Sequence, residues 1–576
     1  MYNFSSRSVY FLHLVLLLGL CTVLYFPYLG KIPFFNKGEP REALVVQEMV
    51  QYGNWLFPLK RGEEIPSKPP LFHWFAAMAS MVWRQVTEMT VRFPSALFAT
   101  LCVLLLYWTG RRLFNPQIAL LAGFILATTG GYQSEAVTAR VDMTLTFFVT
   151  VILIMFFLVY QGILHGSGWL YAFYLLAGVG LLAKGPVGLL LPGMVIFCFL
   201  AIRKRWDFMS RLCFHKGVVV TLLIGISWYG LALLKGGDEF FSRQVIHENL
   251  ARFFVYGEGG SGHQKPFYYY LPYLMLEGLP WSLFLPFVVV DWFRTKAHAQ
   301  DPSLFLMLWA GLIFSFFSIS AGKRSVYILP LYVPLSLLTG MWLEQVQGNR
   351  TRAAGLRAVG WFSLLIGLMI FVPVVVFMAG KDLSWLLSYM EVMMRPKDQA
   401  SLSIVQDVLN RAGWFFQPLL FLSSLLWVIT ALSLFARKHR RAAGCLVILS
   451  LLLGIAVQGA VMPSIAESRS YQPFMAEVNR RVVRGKSLAI YGEGWDYNSV
   501  IFYRGERLRV FEGAALTMQE RVPGAASYYI MSEREWRKID APESPAFSLE
   551  LRSRGTGPDG KDPIVLVRVI KGGKEK

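Results

Sequence analysis

The sequence predicts an all-α polytopic membrane protein with a small α/β unit near its C-terminal end. Three observations predict the membrane class. Of 576 residues, 55% are hydrophobic and only 16% are charged, against roughly a quarter charged in soluble domains. Mean hydropathy is +0.47, and apolar runs long enough to approach a bilayer's thickness recur between short polar segments. Aromatics reach 15%, as interfacial belts of Trp and Tyr require. The net charge of +20 does not signal nucleic acid, because no basic stripe falls on a soluble stretch. Lys and Arg sit in short clusters between apolar runs, where they read as topology and anionic-lipid contact.

Taken in order, about thirteen apolar runs fall near 9–29, 93–110, 117–133, 142–162, 169–183, 186–202, 217–235, 268–290, 303–320, 326–343, 358–379, 412–436 and 443–463. The first follows Arg7, lacks a small-x-small cleavage site and reads as an uncleaved anchor with a cytoplasmic N-terminus. A polar loop, 30–92, comes next. Within it Leu71–Trp83, interrupted by His73, is too short to cross and reads as interfacial or re-entrant. With that run not crossing, Arg111-Arg112, Arg203-Lys204-Arg205, Arg294/Lys296, Arg350/Arg352/Arg357 and Arg437–Arg441 all fall inside, as the positive-inside rule expects. Glu39, Lys68, Asp142, His247, His263 and Lys323 then fall outside.

An odd number of crossings sends the tail outside. The chain divides into a membrane domain over 1–463 and an external α/β domain over 464–576. The tail is expected to hold a helix near Tyr471–Val483 and strands at Ser487–Tyr491, Ser499–Tyr503, Leu508–Phe511, Ser527–Met531, Phe547–Leu551 and Ile564–Ile570. Cys21, Cys102, Cys198, Cys213 and Cys445 form no CxxC or Cys/His cluster, so neither a disulfide scaffold nor a thiolate metal site is indicated.

Charges at the outer boundary carry the chemistry. The first loop holds Gly38-Glu39-Pro40-Arg41 and Ser67-Lys68-Pro69-Pro70, and Arg140-Val141-Asp142 falls at a second boundary. In so apolar a chain such groups are costly to keep without a use. Each also has a bland reading. Glu39 before Pro40 suits a helix N-terminus, Lys68 suits a snorkelling cation, Asp142 suits a helix cap, and Lys184 and Arg140 suit interfacial anchors.

The ordered set of motifs resembles bacterial lipid-linked sugar transferases: the aminoarabinose transferases of lipid A and their protein O-mannosyltransferase-like relatives (glycosyltransferase family 39/83) in the GT-C superfamily. Further matches are Arg92-Phe93-Pro94-Ser95-Ala96, Ala183-Lys184-Gly185-Pro186, Pro266–Pro272, Gly278-Leu279-Pro280-Trp281-Ser282 and Lys323–Pro330. The resemblance implies transfer of a sugar from polyprenyl (undecaprenyl) phosphate to lipid A or another envelope glycan. It places the enzyme in the inner membrane with its site in the periplasm, acting as a monomer without nucleic acid. Displacement at the anomeric carbon needs a base for the acceptor hydroxyl and cations for the departing phosphate. Glu39 and Asp142 are the candidate catalytic carboxylates, and Arg41, Lys68, Lys184 and Lys323 are the candidate phosphate ligands. Arg140, His247, His263 and Tyr269 are candidate substrate contacts.

Two departures stand out. The relatives commonly read Asp-Glu-x-Arg where this chain has Gly38, leaving Glu39 alone. They often carry a metal-linked Glu before Lys-Pro-Pro, where this chain has Ser67. No metal is carried over and no cofactor is assigned, although His247, Glu258 and His263 leave a divalent ion open. A lipid or sugar transporter or flippase, a protein O-glycosyltransferase and an inactive lipid-binding relative are the alternatives.

Overall fold

The computed structural model describes residues 6–65, 67–251, 265–345, 350–378, 413–485, 487–492, 495–511, 527–539, 547–558 and 562–570. The chain opens with α1 (Ser6–Tyr25) and then lays two helices in the first loop, α2 (Gly38–Tyr52) and α3 (Leu71–Val82). There follow α4 (Glu88–Leu113), α5 (Pro116–Thr128), α6 (Gly130–Ala136), α7 (Val141–Tyr160), α8 (Ser167–Lys184), α9 (Val187–Ile202), α10 (Trp206–Cys213) and α11 (Gly217–Phe240).

Among the described residues, ten helices are long and apolar enough to cross a membrane, and a pair bent by 114°, Phe267–Glu277 with Trp281–Arg294, would make eleven. The shorter α5 and α9 account for the remaining expected runs. The protein is a multi-pass membrane protein. Three boundaries differ from expectation. The run expected over 117–133 ends at Thr128, because Thr129 is extended and α6 starts as a separate helix of 7 residues. The run over 268–290 is bent rather than straight. The last apolar helix continues to Arg469, beyond the boundary expected at 463.

Local signals explain the ends that frame the site. The α4 N-terminus is closed by a reciprocal Thr87–Thr90 capping box. Asn115 caps α5 and Pro116 starts it. Gly53 ends α2 in the left-handed region at φ 72°. At 12 residues, α3 is roughly 18 Å long, too short to span, and it packs between α2 and α4.

The tail carries a five-stranded sheet of order β2-β1-β3-β5-β4. Its strands are β1 (Leu488–Tyr491), β2 (Arg509–Phe511), β3 (Tyr528–Ser532), β4 (Phe547–Arg552) and β5 (Ile564–Val569). Both neighbours of β1 run parallel to it, while β3–β5 and β4–β5 are antiparallel. Ser499–Tyr503, expected as a strand, lies in a helix, Asn498–Arg504. The Asp496 side chain accepts the Asn498 N–H before it, and Gly505 closes it at φ 74°.

This helix covers α2. Phe34, Val46 and Met49 share one buried core with Phe474, Ile501 and Phe502, and the Phe34 and Phe502 rings lie 5.0 Å apart. Polar contacts frame that core. The Tyr503 hydroxyl accepts the Phe34 N–H at 2.8 Å and donates to Glu88 at 2.8 Å. Arg507 grips Glu48 with two hydrogen bonds, of 2.9 and 2.5 Å. α2 is therefore sandwiched between the membrane bundle and the tail. Because Phe34 is fully buried, Phe34→Ala is expected to cost about 3–5 kcal/mol. Limited proteolysis should show faster cleavage of the tail in that variant, with the membrane helices intact.

Candidate functional site

The site begins at the first turn of α2. The Asn36 side-chain oxygen accepts the N–H groups of Gly38 and Glu39 at 2.9 and 3.0 Å and so fixes the turn. The Glu39 side chain is 2% exposed. Its carboxylate accepts from Arg92 at 2.7 and 3.0 Å, from Asn36 Nδ2 at 2.7 Å and from the Ala139 N–H at 3.0 Å. Arg92 also donates to the carbonyls of Leu29 and Ile32. Burial alone would raise the Glu39 carboxyl, but Arg92 and the Ala139 N–H outweigh it and hold the group below its ordinary value. Glu39 was expected as the base; in the fold both its oxygens are occupied by donors, and it fastens three chain segments together.

Around it lies a carboxylate-rich half. Glu42, one turn along α2, accepts from Arg41 at 2.8 Å and meets His73 Nε2 at 2.8 Å. Those partners overcome burial and hold its carboxyl far below the usual range. The Arg140 guanidinium lies 3.6 Å from the point where a Cβ on Gly38 would stand, and its nearest carboxylate is Glu135, at 3.7 Å. Asp142 sits in the first turn of α7, where the helix dipole favours its charge. It accepts from Lys184 Nζ at 2.5 Å, and Lys184 lies 4.2 Å above the Tyr327 ring. Glu135 keeps one oxygen, Oε2, buried with no hydrogen-bond partner among the described residues. Burial pushes its carboxyl up to about 7; Arg140 opposes this, and Asp142, Glu277 and Glu39 add to it.

A cation-rich half adjoins. Lys68 Nζ donates to Glu248 at 2.6 Å, and Lys60 pairs with Glu64 at 2.6 Å. Arg61 also pairs with Glu64, and Arg243 reaches the same carboxylate at 3.3 Å. Burial and then the charges of Arg61, Arg41 and Arg243 push the Lys60 amine down to about 8. Arg41 straddles the two halves. Glu42 beside it raises its already high value most, and Glu248 and Asp496, the latter from the tail, add to that.

The other expected residues are more dispersed. Lys323 is 3% exposed, and its Nζ donates to the Ser320 carbonyl at 2.5 Å. It closes the end of the helix Asp301–Ile319 instead of standing open to a phosphate, and burial lowers its amine. Tyr269 packs against Tyr273 with ring centroids 4.6 Å apart. His247 is exposed on the segment Phe241–Ala251, while Glu258 and His263 lie outside the described residues. No group of three or more His, Cys, Asp or Glu among the described residues is arranged to hold a metal.

Sequence reasoning assigned no role to Glu42, His73, Arg92, Glu135 or Glu248. A signal existed for two of them: Glu39 and Glu42 are three apart on one helix face, and Arg92 opens a quoted motif. Nothing local marks Glu248 or Glu135.

Residues 67–229 match the family model described as dolichyl-phosphate-mannose-protein mannosyltransferase; that range includes Lys68, Arg92, Glu135, Arg140, Asp142 and Lys184 but not α2. A relative from Pseudomonas fluorescens, an undecaprenyl phosphate-alpha-4-amino-4-deoxy-L-arabinose arabinosyl transferase, is 30% identical over 62% of this chain and 67% of its own length. The chain belongs to this GT-C transferase family. A relative of the same name from Edwardsiella ictaluri is 30% identical over 61% of this chain. The chain spans 63% of that relative's length. The family fold is seen in the crystal structure of ArnT from Cupriavidus metallidurans bound to undecaprenyl phosphate, with a TM-score of 0.75, 20% identity and 98% of each chain covered.

The Glu39–Arg92 pair generates a stability prediction. Glu39→Gln leaves Arg92 buried against a neutral partner and is expected to cost about 3–5 kcal/mol, read as a lowered unfolding midpoint in detergent. The lowered Glu39 carboxyl contributes stability fully above its unfolded value of 4.5, and that contribution is lost as pH falls through the lower folded value. Acid should therefore destabilise the wild type more steeply than the Gln variant.

Proposed function

We propose that the protein transfers a glycosyl group from a polyprenyl phosphate-linked sugar to a cell-envelope acceptor such as lipid A, at the periplasmic face of the bacterial inner membrane. The observation that carries this reading is the union of the two halves through Arg41. That residue bonds Glu42 on the carboxylate side, and its charge acts on Lys60 on the cationic side. A phosphate leaving group and a hydroxyl acceptor require those two environments side by side. The relatives named undecaprenyl phosphate-alpha-4-amino-4-deoxy-L-arabinose arabinosyl transferases support the same chemistry.

In this reading Arg41, Lys60 and Lys68 receive the donor phosphate, Arg41 by its planar fork and the lysines as point charges. The acceptor oxygen attacks the anomeric carbon from the face opposite the phosphate, and the carbon–oxygen bond to phosphate breaks with its electron pair on the leaving oxygen. The product is inverted. The acceptor's proton passes to a carboxylate. Asp142 takes that role, with Lys184 holding one of its oxygens. Glu39 acts through others as a positioning residue, since it fixes α2 to Arg92 and to the Ala139 segment that leads into Arg140 and Asp142.

The test is mass spectrometry of envelope glycolipids and glycoproteins from a deletion strain, complemented with wild type, Asp142→Asn or Lys68→Ala. One sugar mass should vanish from one acceptor and return with wild type. Each variant should cut turnover by about 100-fold or more. Full restoration by Asp142→Asn would refute the base assignment. An unchanged envelope, with the protein expressed, would refute the transferase reading. Loss of a sugar from protein alone would move the acceptor to a protein hydroxyl, in line with the mannosyltransferase description matched over 67–229.

A further inference from the structure

His73, in the first turn of α3, is 1% exposed and takes no part in the proposed transfer. Its Nε2 meets Glu42 Oε2 at 2.8 Å. An ionised carboxylate only accepts, so Nε2 carries the hydrogen. Nδ1 is buried with no hydrogen-bond partner among the described residues. An imidazole is costly in such a place, and an apolar side chain would pack there without that cost. What the imidazole adds is a donor to Glu42. The other oxygen of that carboxylate, Oε1, accepts from both Arg41 Nε at 3.2 Å and Arg41 Nη2 at 2.8 Å. Arg41, Glu42 and His73 thus form one chain, buried at its centre and open at the Arg41 end, whose side chain is 36% exposed. Both bonds leave from one edge of the guanidinium, so its Nη1–Nη2 edge is left to a second anion. The chain also crosses between helices, because Arg41 and Glu42 lie on α2 and His73 lies on α3, which Lys68-Pro69-Pro70 leads into.

We propose that His73 is a positioning residue for the donor phosphate: through Glu42 it aims the Arg41 guanidinium and ties it to the helix that follows Lys68. The role of the imidazole is to occupy Glu42 Oε2. Without that donor the buried oxygen is left unsatisfied, and the nearest donors able to fill it are those of Arg41. The guanidinium would then close on both oxygens of Glu42 as a two-bond fork, the strongest geometry such a pair has. A phosphate would have to compete with a whole carboxylate for Arg41. With His73 in place both Arg41 bonds converge on Oε1, and the arginine is anchored without being used up. An arginine held along one edge by a fixed carboxylate also loses less freedom when the ligand arrives. The inference rests on the transferase reading, in which Arg41 and Lys68 receive the phosphate, and adds the group that prepares them.

The test measures binding of undecaprenyl phosphate to the full-length protein in detergent, with undecaprenol, the same chain without the phosphate, as control. The wild type should bind the phosphate form more tightly. His73→Phe should weaken undecaprenyl phosphate by about 10-fold and leave undecaprenol unchanged. Trp74, which donates to the Trp55 carbonyl at 2.8 Å, keeps α3 in place in that variant. His73→Gln, which still offers Glu42 an N–H, should recover most of the loss. In an Arg41→Ala background His73→Phe should have no further effect, because the two residues act in one chain. If the phenyl ring prevents folding, His73→Leu removes the same donor with a smaller side chain and enters the same comparison. Equal losses with and without Arg41, or undecaprenol weakened as much as the phosphate form, would overturn the positioning role and leave the transferase reading intact. A wild type that does not distinguish the two lipids would overturn the phosphate assignment itself, and the inference with it.

Discussion

The buried ion pair between Glu39 and Arg92 is the constraint on which the outer face of the bundle depends. A buried pair is stabilising only if its remaining donors and acceptors are met, and here they are. Arg92 makes four hydrogen bonds, two to Glu39 and two to the carbonyls of Leu29 and Ile32. Glu39 in turn receives Asn36 and the Ala139 N–H. The network ties the exit from α1, the start of α2, the first turns of α4 and the approach to α7. Every polar group of the site is set out from those ties: Arg41 and Glu42 follow on α2, Arg140 and Asp142 follow Ala139. The pair gives register to the site, and registry is the best-attested use of such pairs.

From that frame the charges are set out in pairs: Glu42 with Arg41, Asp142 with Lys184, Lys68 with Glu248 and Lys60 with Glu64. Most acidic groups near Arg140 sit on α2, α6 and α7, while Lys60, Arg61, Lys68 and Arg243 gather on the other side of Arg41. The tail takes part through Asp496, which acts on both Arg41 and Lys60, so it belongs to the site as well as to the cover of α2.

Hydropathy made most of the fold legible. Every expected apolar run carries a helix, and the short Leu71–Trp83 run was separable from the spans by length alone. The break at Thr129 was not, because no proline marks it and Gly130-Gly131 was the single hint. Glu135, just beyond the expected end at 133, drew no reading. Ser499–Tyr503 looked extended because β-branched and aromatic residues dominate it, but Asp496 and Gly505 cap it as a helix. In the site, residue types and their common side were readable, whereas partners were not. Lys184 meets Asp142 from 42 residues away and Lys68 meets Glu248 from 180. Spacing rules reach one helical turn, and they say nothing of such pairings. The donors that fill the Glu39 carboxylate, Arg92 and the Ala139 N–H, likewise come from 53 and 100 residues away.

The sandwich around α2 has a consequence for the order of assembly. The contacts that cover its outer side join residues 469, 455 and 459 positions apart: Phe34 with Tyr503, Gln47 with Phe502, and Glu48 with Arg507. Ribosomes deliver chains from the N-terminus at about 5–20 residues per second, so α2 emerges early and waits tens of seconds for its cover. During that interval Phe34, Leu44 and Met49, all buried in the finished protein, stand in the aqueous phase or against the bilayer surface. The first loop is thus made first and finished last.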